Sequence, residues 1–298
     1  MTVYWNGRIA DSGTVCVGFD DHGFMYGAGL FETFRTYAGK PFLPARHVQR
    51  LRSGCERLQI ELPRTSPARA SGCDMDCPEL REILDRLLRA NGMADAVFRY
   101  TVSAGPGGAG LPRGPYTHPV ELIVPRPLPP EDPRDGIVLH VLGITQASAA
   151  RRMKTTAYVN NLLAWRELAE RTCEAADEGI VTDEAGGWVE GVVSNLWFIT
   201  GDRIITAPTD CGVLEGVTRG WVAEEAARQG IAVGFQVMQP HSLGEIEGIF
   251  STNAVRGLTP VVRVADACGG TRWEGRTPIH PVFSALAAAY RRSCAGAH

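Results

Sequence analysis

The chain has 298 residues, 44% hydrophobic and 21% charged, with a formal net charge of −3. That is enough for one large or two ordinary globular domains, and it gives no broad electrostatic case for binding nucleic acid or an anionic membrane. No apolar run approaches the roughly 20 residues of a membrane span. The start "MTVYWNGRIADSG" lacks the basic-then-apolar order of a secretory leader. Eight scattered cysteines include no Cys-x-x-Cys pair, and no histidine lies near Cys73 and Cys77. The expectation is a cytoplasmic protein with reduced thiols and no metal.

In chain order, "VYWNGRIA" predicts a hairpin, because Asn6-Gly7 suits a tight primed turn. "LFETFRTYAGKPF" predicts a second, turning near Ala38-Gly39. "PARHVQRLRSGCERLQI" has helical spacing, with Val48, Leu51, Cys55 and Leu58 on one face. "RTSPARASGCDMD" is a loop of unusual length, expected to be mobile. "PELREILDRLLRANG" is a helix opened by Pro78 and closed at Gly92. "AVFRYTVSA" and "PVELIVP" are strand-like. The five prolines of residues 125–136 mark a boundary. This sets a small N-terminal domain over 1–125, a linker over 126–136, and a larger domain over 137–298.

The second half holds short strands at "IVLHVLG", "EGIVTDE", "LWFITGDRIIT", "IAVGFQVM", "GIFST" and "PVVRVA". Helices fall near 157–172, from Val217, and from about Pro281 to Arg292. Such a mixture is α+β. "GPGGAG" at 105–110 follows a strand, as a dinucleotide loop would. Leu111, Pro112, Arg113, Gly114 and Pro115 cannot open the required helix, so a flexible loop is expected instead.

Four features carry chemistry. Lys154 stands in "RRMKTTAYVNNLLAWRELA", just ahead of a helix; basic neighbours such as Arg151 and Arg152 are ordinarily solvated. Glu190 sits among Trp188, Val189, Val192 and Val193, where a carboxylate needs a partner. The helix opening at Gly216-Val217-Thr218 presents amides suited to a phosphate. Arg50 lies in "ARHVQRL". A Schiff-base lysine, an acid, a phosphate cup and an arginine are the parts that hold pyridoxal phosphate.

Their wording and order resemble the class IV aminotransferases. The resemblance runs through "DDHGFMYGAGLFETFRTYAGKPFLPARHVQRL", "KTTAYVNNLLA", "WVEGVVSN", "GVLEGVTRGWV" and "STNAVRGLTPV". It implies a two-domain fold, with a small N-terminal α/β domain, a larger mixed-barrel domain and the cofactor cleft between them. It implies that Lys154 forms the internal aldimine and shuttles the proton. Glu190 would keep the pyridine nitrogen protonated, and Tyr158 would approach the ring hydroxyl. Arg50 would grip the phosphate through its fork. Val217, Thr218 and Asn253 would complete the cup, and Ser194 and Asn195 would shape the turn beside the ring. For these last residues an ordinary helix cap or turn role is the alternative. Tyr26, Arg99 and Arg256 are candidate substrate contacts.

Within the family, "NAVRGLTP" and "LFETFRTYAGKPFL" resemble the aminodeoxychorismate lyases, which release pyruvate and 4-aminobenzoate for folate synthesis. "SAGPGGAGL" departs from them, with Ala104 and Ala109 where some lyases carry arginines. The alternatives are an aminotransferase for branched-chain L-amino acids or D-amino acids with 2-oxoglutarate, and a catalytically degenerate binding paralogue. The expected partners are a small amine or amino acid and a second copy in a homodimer, with no nucleic acid and no membrane.

Overall fold

The computed structural model describes residues 1–69, 77–130, 135–145, 152–172, 174, 177–275 and 279–296. The chain divides into two compact units. The first holds Met1–Pro130, Met153–Tyr158 and Cys294–His298; the second holds Glu131–Arg152 and Val159–Ser293. Both mix helix and sheet, the α+β class expected.

The first unit contains β1 (Thr2–Trp5), β2 (Arg8–Asp11), α1 (His22–Tyr26), β3 (Gly29–Tyr37), β4 (Lys40–Pro41), α2 (Pro44–Arg57), α3 (Pro78–Asn91), β5 (Val97–Ser103) and β6 (Val120–Arg126). Its strands pair antiparallel in the order β2-β1-β6-β5-β3-β4. Alternation along β3 and β5 puts Leu30, Phe34, Phe98 and Val102 on one face. There they share a core with Val48, Leu51 and Cys55 of α2 and with Leu80, Leu84 and Leu87 of α3. A fully buried leucine of this kind contributes about 1.5–3 kcal/mol.

Both hairpin turns fall where the sequence puts them. Asn6 and Gly7 have φ of 44° and 87°, and Ala38 and Gly39 have 49° and 79°. The strained alanine is held by Asp95, whose carboxylate accepts the amides of Ala38 and Gly39 at 3.2 and 2.9 Å.

Two loops expected to be mobile are anchored in part. Residues 70–76 of the long loop lie outside the described residues, but its earlier part is anchored. Ser66 and Ala68 are buried, and Ser66 Oγ donates to Glu121 Oε1 at 2.6 Å. The glycine-rich run is likewise pinned rather than loose. A Cβ at Gly107 would meet the buried His22 ring at 2.3 Å, and His22 Nε2 lies 3.0 Å from the carbonyl oxygen of Gly108. The glycines there permit close packing on a histidine, a need that sequence spacing does not distinguish from flexibility.

The second unit contains β7 (Ile137–Thr145), α4 (Val159–Arg171), β8 (Glu178–Thr182), β9 (Trp188–Gly191), β10 (Asn195–Thr200), β11 (Arg203–Thr206), α5 (Val217–Arg228), β12 (Ala232–Phe235), β13 (Gly248–Asn253), β14 (Gly257–Ala265), β15 (Thr271–Glu274) and most of α6 (Pro281–Ala295). Among the described residues its sheet runs β12-β11-β10-β13-β14-β7-β8-β9, with β15 on β14. Pairing is mixed: β14–β7, β7–β8 and β11–β12 are parallel. Continuous burial along β8, β9 and most of β10 explains why their apolar residues run together instead of alternating, as at Ile180 and Val181 or from Leu196 to Ile199. No helix among the described residues is long and apolar enough to cross a membrane.

Candidate active site

Lys154 lies ahead of α4, as expected, but its own backbone takes no part in the helix. Its segment runs extended beside the start of β3, bridged antiparallel at Leu30 and Thr155. Phe31 N–H donates to Lys154 C=O, and Thr156 N–H donates to Gly29 C=O, both at 2.9 Å. Thr156 Oγ1 also donates to Gly27 C=O at 2.9 Å. This approach needs glycine. A Cβ at Gly27, whose φ is +68°, would meet Ala157 Cβ at 2.8 Å, and one at Gly29 would meet Thr156 Oγ1 at 2.9 Å. The backbone of Lys154 is therefore fixed by pairing rather than left on a loop.

Its side chain joins a cluster around Phe31. Lys154 Nζ stands 4.7 Å from the centre of that ring and the Arg99 guanidinium 3.6 Å from it. Tyr158 meets the ring edge-on at 5.3 Å between centroids. Arg99 points to the face of the sheet opposite α2 and α3, alternating with buried Phe98 and Tyr100. Burial, then the charge of Arg126, disfavours its cationic form, and Tyr158 acts the other way. An anion placed here would relieve that cost. Tyr26 is about half exposed at the end of α1, its ring packed edge-on to His22.

On the helix-covered face of β3, Arg50 meets Glu32. Its Nε and Nη2 donate to the two carboxylate oxygens, each at 2.7 Å. His47 Nδ1 lies 2.6 Å from Glu32 Oε2; since an ionised carboxylate only accepts, that nitrogen carries the hydrogen. Burial alone would raise the Glu32 carboxyl. Arg50 and His47 reverse this and hold it at about 2. The His47 imidazole is pushed down by burial, then by Arg50 and Lys154, against the pull of Glu32. The Arg50 fork expected to grip a phosphate thus grips Glu32. Sequence reasoning missed Glu32 and His47. The readable signal is a glutamate in step with Leu30 and Phe34 on the core-facing side of a strand.

In the second unit, Glu190 of β9 is 3% exposed. Its Oε2 accepts the Leu214 amide at 3.0 Å, and its Oε1 accepts from Arg152 Nη1. The partner demanded by its apolar flanks is therefore Arg152, which is not a solvated member of a basic run. Asn195 opens β10, and its Nδ2 donates to Leu214 C=O at 2.9 Å. A Cβ at Gly191 would meet Ser194 Oγ at 2.2 Å and Glu178 Cγ at 2.9 Å, so Ser194 and buried Glu178 lie together beneath it. Burial raises the Glu178 carboxyl, while Ser194, nearby amides and Arg256 oppose it. Asn253 Oδ1 accepts the amides of Val255 and Arg256 at 2.9 and 2.8 Å, the turn role left open above.

Helix α5 starts at Val217 after Gly216, with no side chain capping it. There is no room for one. A Cβ at Gly216 would meet Asn195 Oδ1 at 2.0 Å. Thr218 is buried in the first turn. An uncapped helix start with a glycine entry suits a phosphate group.

The family described as amino-transferase class IV matches residues 29–264. The chain is 32% identical over 275 residues to the aminodeoxychorismate lyase of Bacillus subtilis (strain 168), covering 91% of this chain and 89% of that one. The fold is similar to 4-amino-4-deoxychorismate lyase from Pseudomonas aeruginosa (TM-score 0.78, 25% identity, 97% and 98% of the chains). It is also similar to the branched-chain aminotransferase of the archaeon Thermoproteus uzoniensis, solved with norvaline (TM-score 0.82, 23% identity, 100% and 96%). The chain belongs to the class IV aminotransferase family. Members of that family are pyridoxal-phosphate-dependent aminotransferases and lyases, and this chain is an enzyme of that kind.

Each unit carries donors that suit that cofactor: the first an amine on a paired backbone, the second a buried carboxylate and an uncapped helix start with glycine entry.

Proposed function

We propose that this chain binds pyridoxal phosphate through Lys154 and acts as an aminodeoxychorismate lyase, giving 4-aminobenzoate and pyruvate. The observation that carries the subclass is the 32% identity to the Bacillus subtilis lyase over nearly the whole of both chains. The runner-up is an aminotransferase for branched-chain L-amino acids or D-amino acids.

When bound, the cofactor supplies an electron sink for the bond broken next to the substrate nitrogen. Lys154 Nζ is the base that takes and returns the substrate proton, and its fixed backbone favours a single approach. Glu190 would hold the ring nitrogen of the cofactor and keep a proton there. Val217 and Thr218 at the start of α5 would hold the phosphate, with Arg50, itself set by Glu32 and His47, and with Asn253. Ser194 and Asn195 would shape the turn beside the ring, and Tyr158 would approach the ring hydroxyl. Arg99, which shares the Phe31 ring with Lys154, suits a carboxylate of the substrate. Tyr26 and Arg256 are further substrate contacts. A second copy of the chain is proposed to cover the exposed side chains of Val159, Leu162, Leu163 and Trp165 on α4.

The test offers the purified protein aminodeoxychorismate, and separately D- or L-amino acids with 2-oxoglutarate. Production of 4-aminobenzoate and pyruvate in the first supports the lyase. Glutamate formed only in the second replaces it with the aminotransferase.

A further inference from the structure

Arg152 stands two residues before Lys154, yet its side chain is only 20% exposed. Nη1 donates to Glu190 Oε1, and Nη2 donates to Asn161 Oδ1 at 3.0 Å. Asn161 Nδ2 in turn donates to the Val192 carbonyl at 2.6 Å. The other oxygen of Glu190 accepts the Leu214 amide. Glu190 is thus held from both sides, by a cation on one oxygen and a backbone amide on the other. Asn161 keeps the guanidinium from turning away. This is more than a partner for a buried charge. It fixes the direction of the carboxylate and weakens its pull on any proton it shares, because a neighbouring cation favours the ionised form.

We propose that Arg152 is a positioning residue which, through Glu190, sets how tightly the proton between Glu190 and the ring nitrogen of the bound cofactor is held. The proposal rests on the reading of Glu190 given above. A lone buried carboxylate would hold that proton strongly. A carboxylate already paired with arginine holds it less, so the ring nitrogen can share or release it. Other charged groups nearby in sequence or by contact are Glu178 on β8, on which Arg256 acts, Asp183 in the β8–β9 turn, Glu215 beside Leu214, and Arg219 on α5. Asp183 is occupied with the amides of Ala185 and Gly187, and Arg219 with the Ala207 carbonyl.

The experiment loads the protein with pyridoxal phosphate labelled with nitrogen-15 in the ring and follows the ring-nitrogen shift across the neutral to alkaline range. Removing a cation raises proton affinity. Arg152→Met is therefore expected to move the midpoint up by about one pH unit or more. Arg152→Gln keeps two amide hydrogens but no charge, is expected to do the same, and serves if the methionine variant does not fold. Arg152→Lys is expected to stay near wild type. In a Glu190→Gln background, adding Arg152→Met is expected to leave the midpoint where it was, since the influence passes through the carboxylate. Identical ring-nitrogen titrations in wild type, Arg152→Gln and Arg152→Met overturn the proposal while leaving cofactor binding intact. Failure of the wild-type protein to take up the cofactor overturns the functional reading itself.

Discussion

Replacing Glu32 with Gln removes one negative charge from the interior of the first unit and leaves its shape nearly unchanged. Burial alone would raise this carboxyl, but Arg50 and His47 hold it at about 2 against an ordinary 4.5. A depressed carboxyl stabilises the fold above its unfolded value and loses that contribution as pH falls through the folded one. At about 1.36 kcal/mol per unit, the drop corresponds to about 3 kcal/mol at neutral pH. Breaking a buried pair by removing one partner costs a similar amount, about 3–5 kcal/mol, and Glu32 is 1% exposed. Urea unfolding at neutral pH is therefore expected to show Glu32→Gln less stable by about 3 kcal/mol. As pH falls from 4.5 toward 2, the wild type is expected to converge on the variant. A variant within about 0.5 kcal/mol of wild type at neutral pH, the scatter of ordinary surface changes, would refute the reasoning.

Other outcomes follow from the same geometry. Glu190→Gln is expected to keep cofactor content but slow turnover on the order of 10²-fold, about 2.7 kcal/mol, as read by single-turnover kinetics. Arg50→Lys is expected to weaken cofactor binding by about 1–3 kcal/mol when apo-protein is titrated, with Arg52→Lys unchanged; equal affinities would remove Arg50 from the phosphate site. Gly29→Ala is expected to push the 153–156 segment off β3, since the new methyl would also meet the Val102 carbonyl oxygen at 2.9 Å. Its expected cost is about 1–3 kcal/mol, with faster amide exchange at Phe31 and Thr156.

The sequence shows the local elements clearly. Asn6-Gly7 and Ala38-Gly39 turn where their chemistry allows, and the faces of α2 and α3 follow helical spacing into the core. Glu190 is readable as a carboxylate needing a partner. That partner is not readable, because Arg152 lies 38 residues away and looks like part of a solvated basic run. The extended backbone of Lys154 is hidden for a similar reason. It depends on hydrogen bonds to residues more than a hundred positions earlier, and only the spacing of Gly27 and Gly29 hints at the close approach. Asn253 shows the opposite limit. Its Oδ1 is engaged in its own turn, a role that residue type alone does not separate from the phosphate contact proposed for it.

Reduction of the pyridoxal-phosphate-loaded protein with borohydride, followed by peptide mapping, tests the role of Lys154 most directly. The pyridoxyl group is expected on Lys154 alone, with Lys154→Ala both unlabelled and inactive. A label on Lys40, the other lysine of the chain, or full turnover by Lys154→Ala, would contradict it.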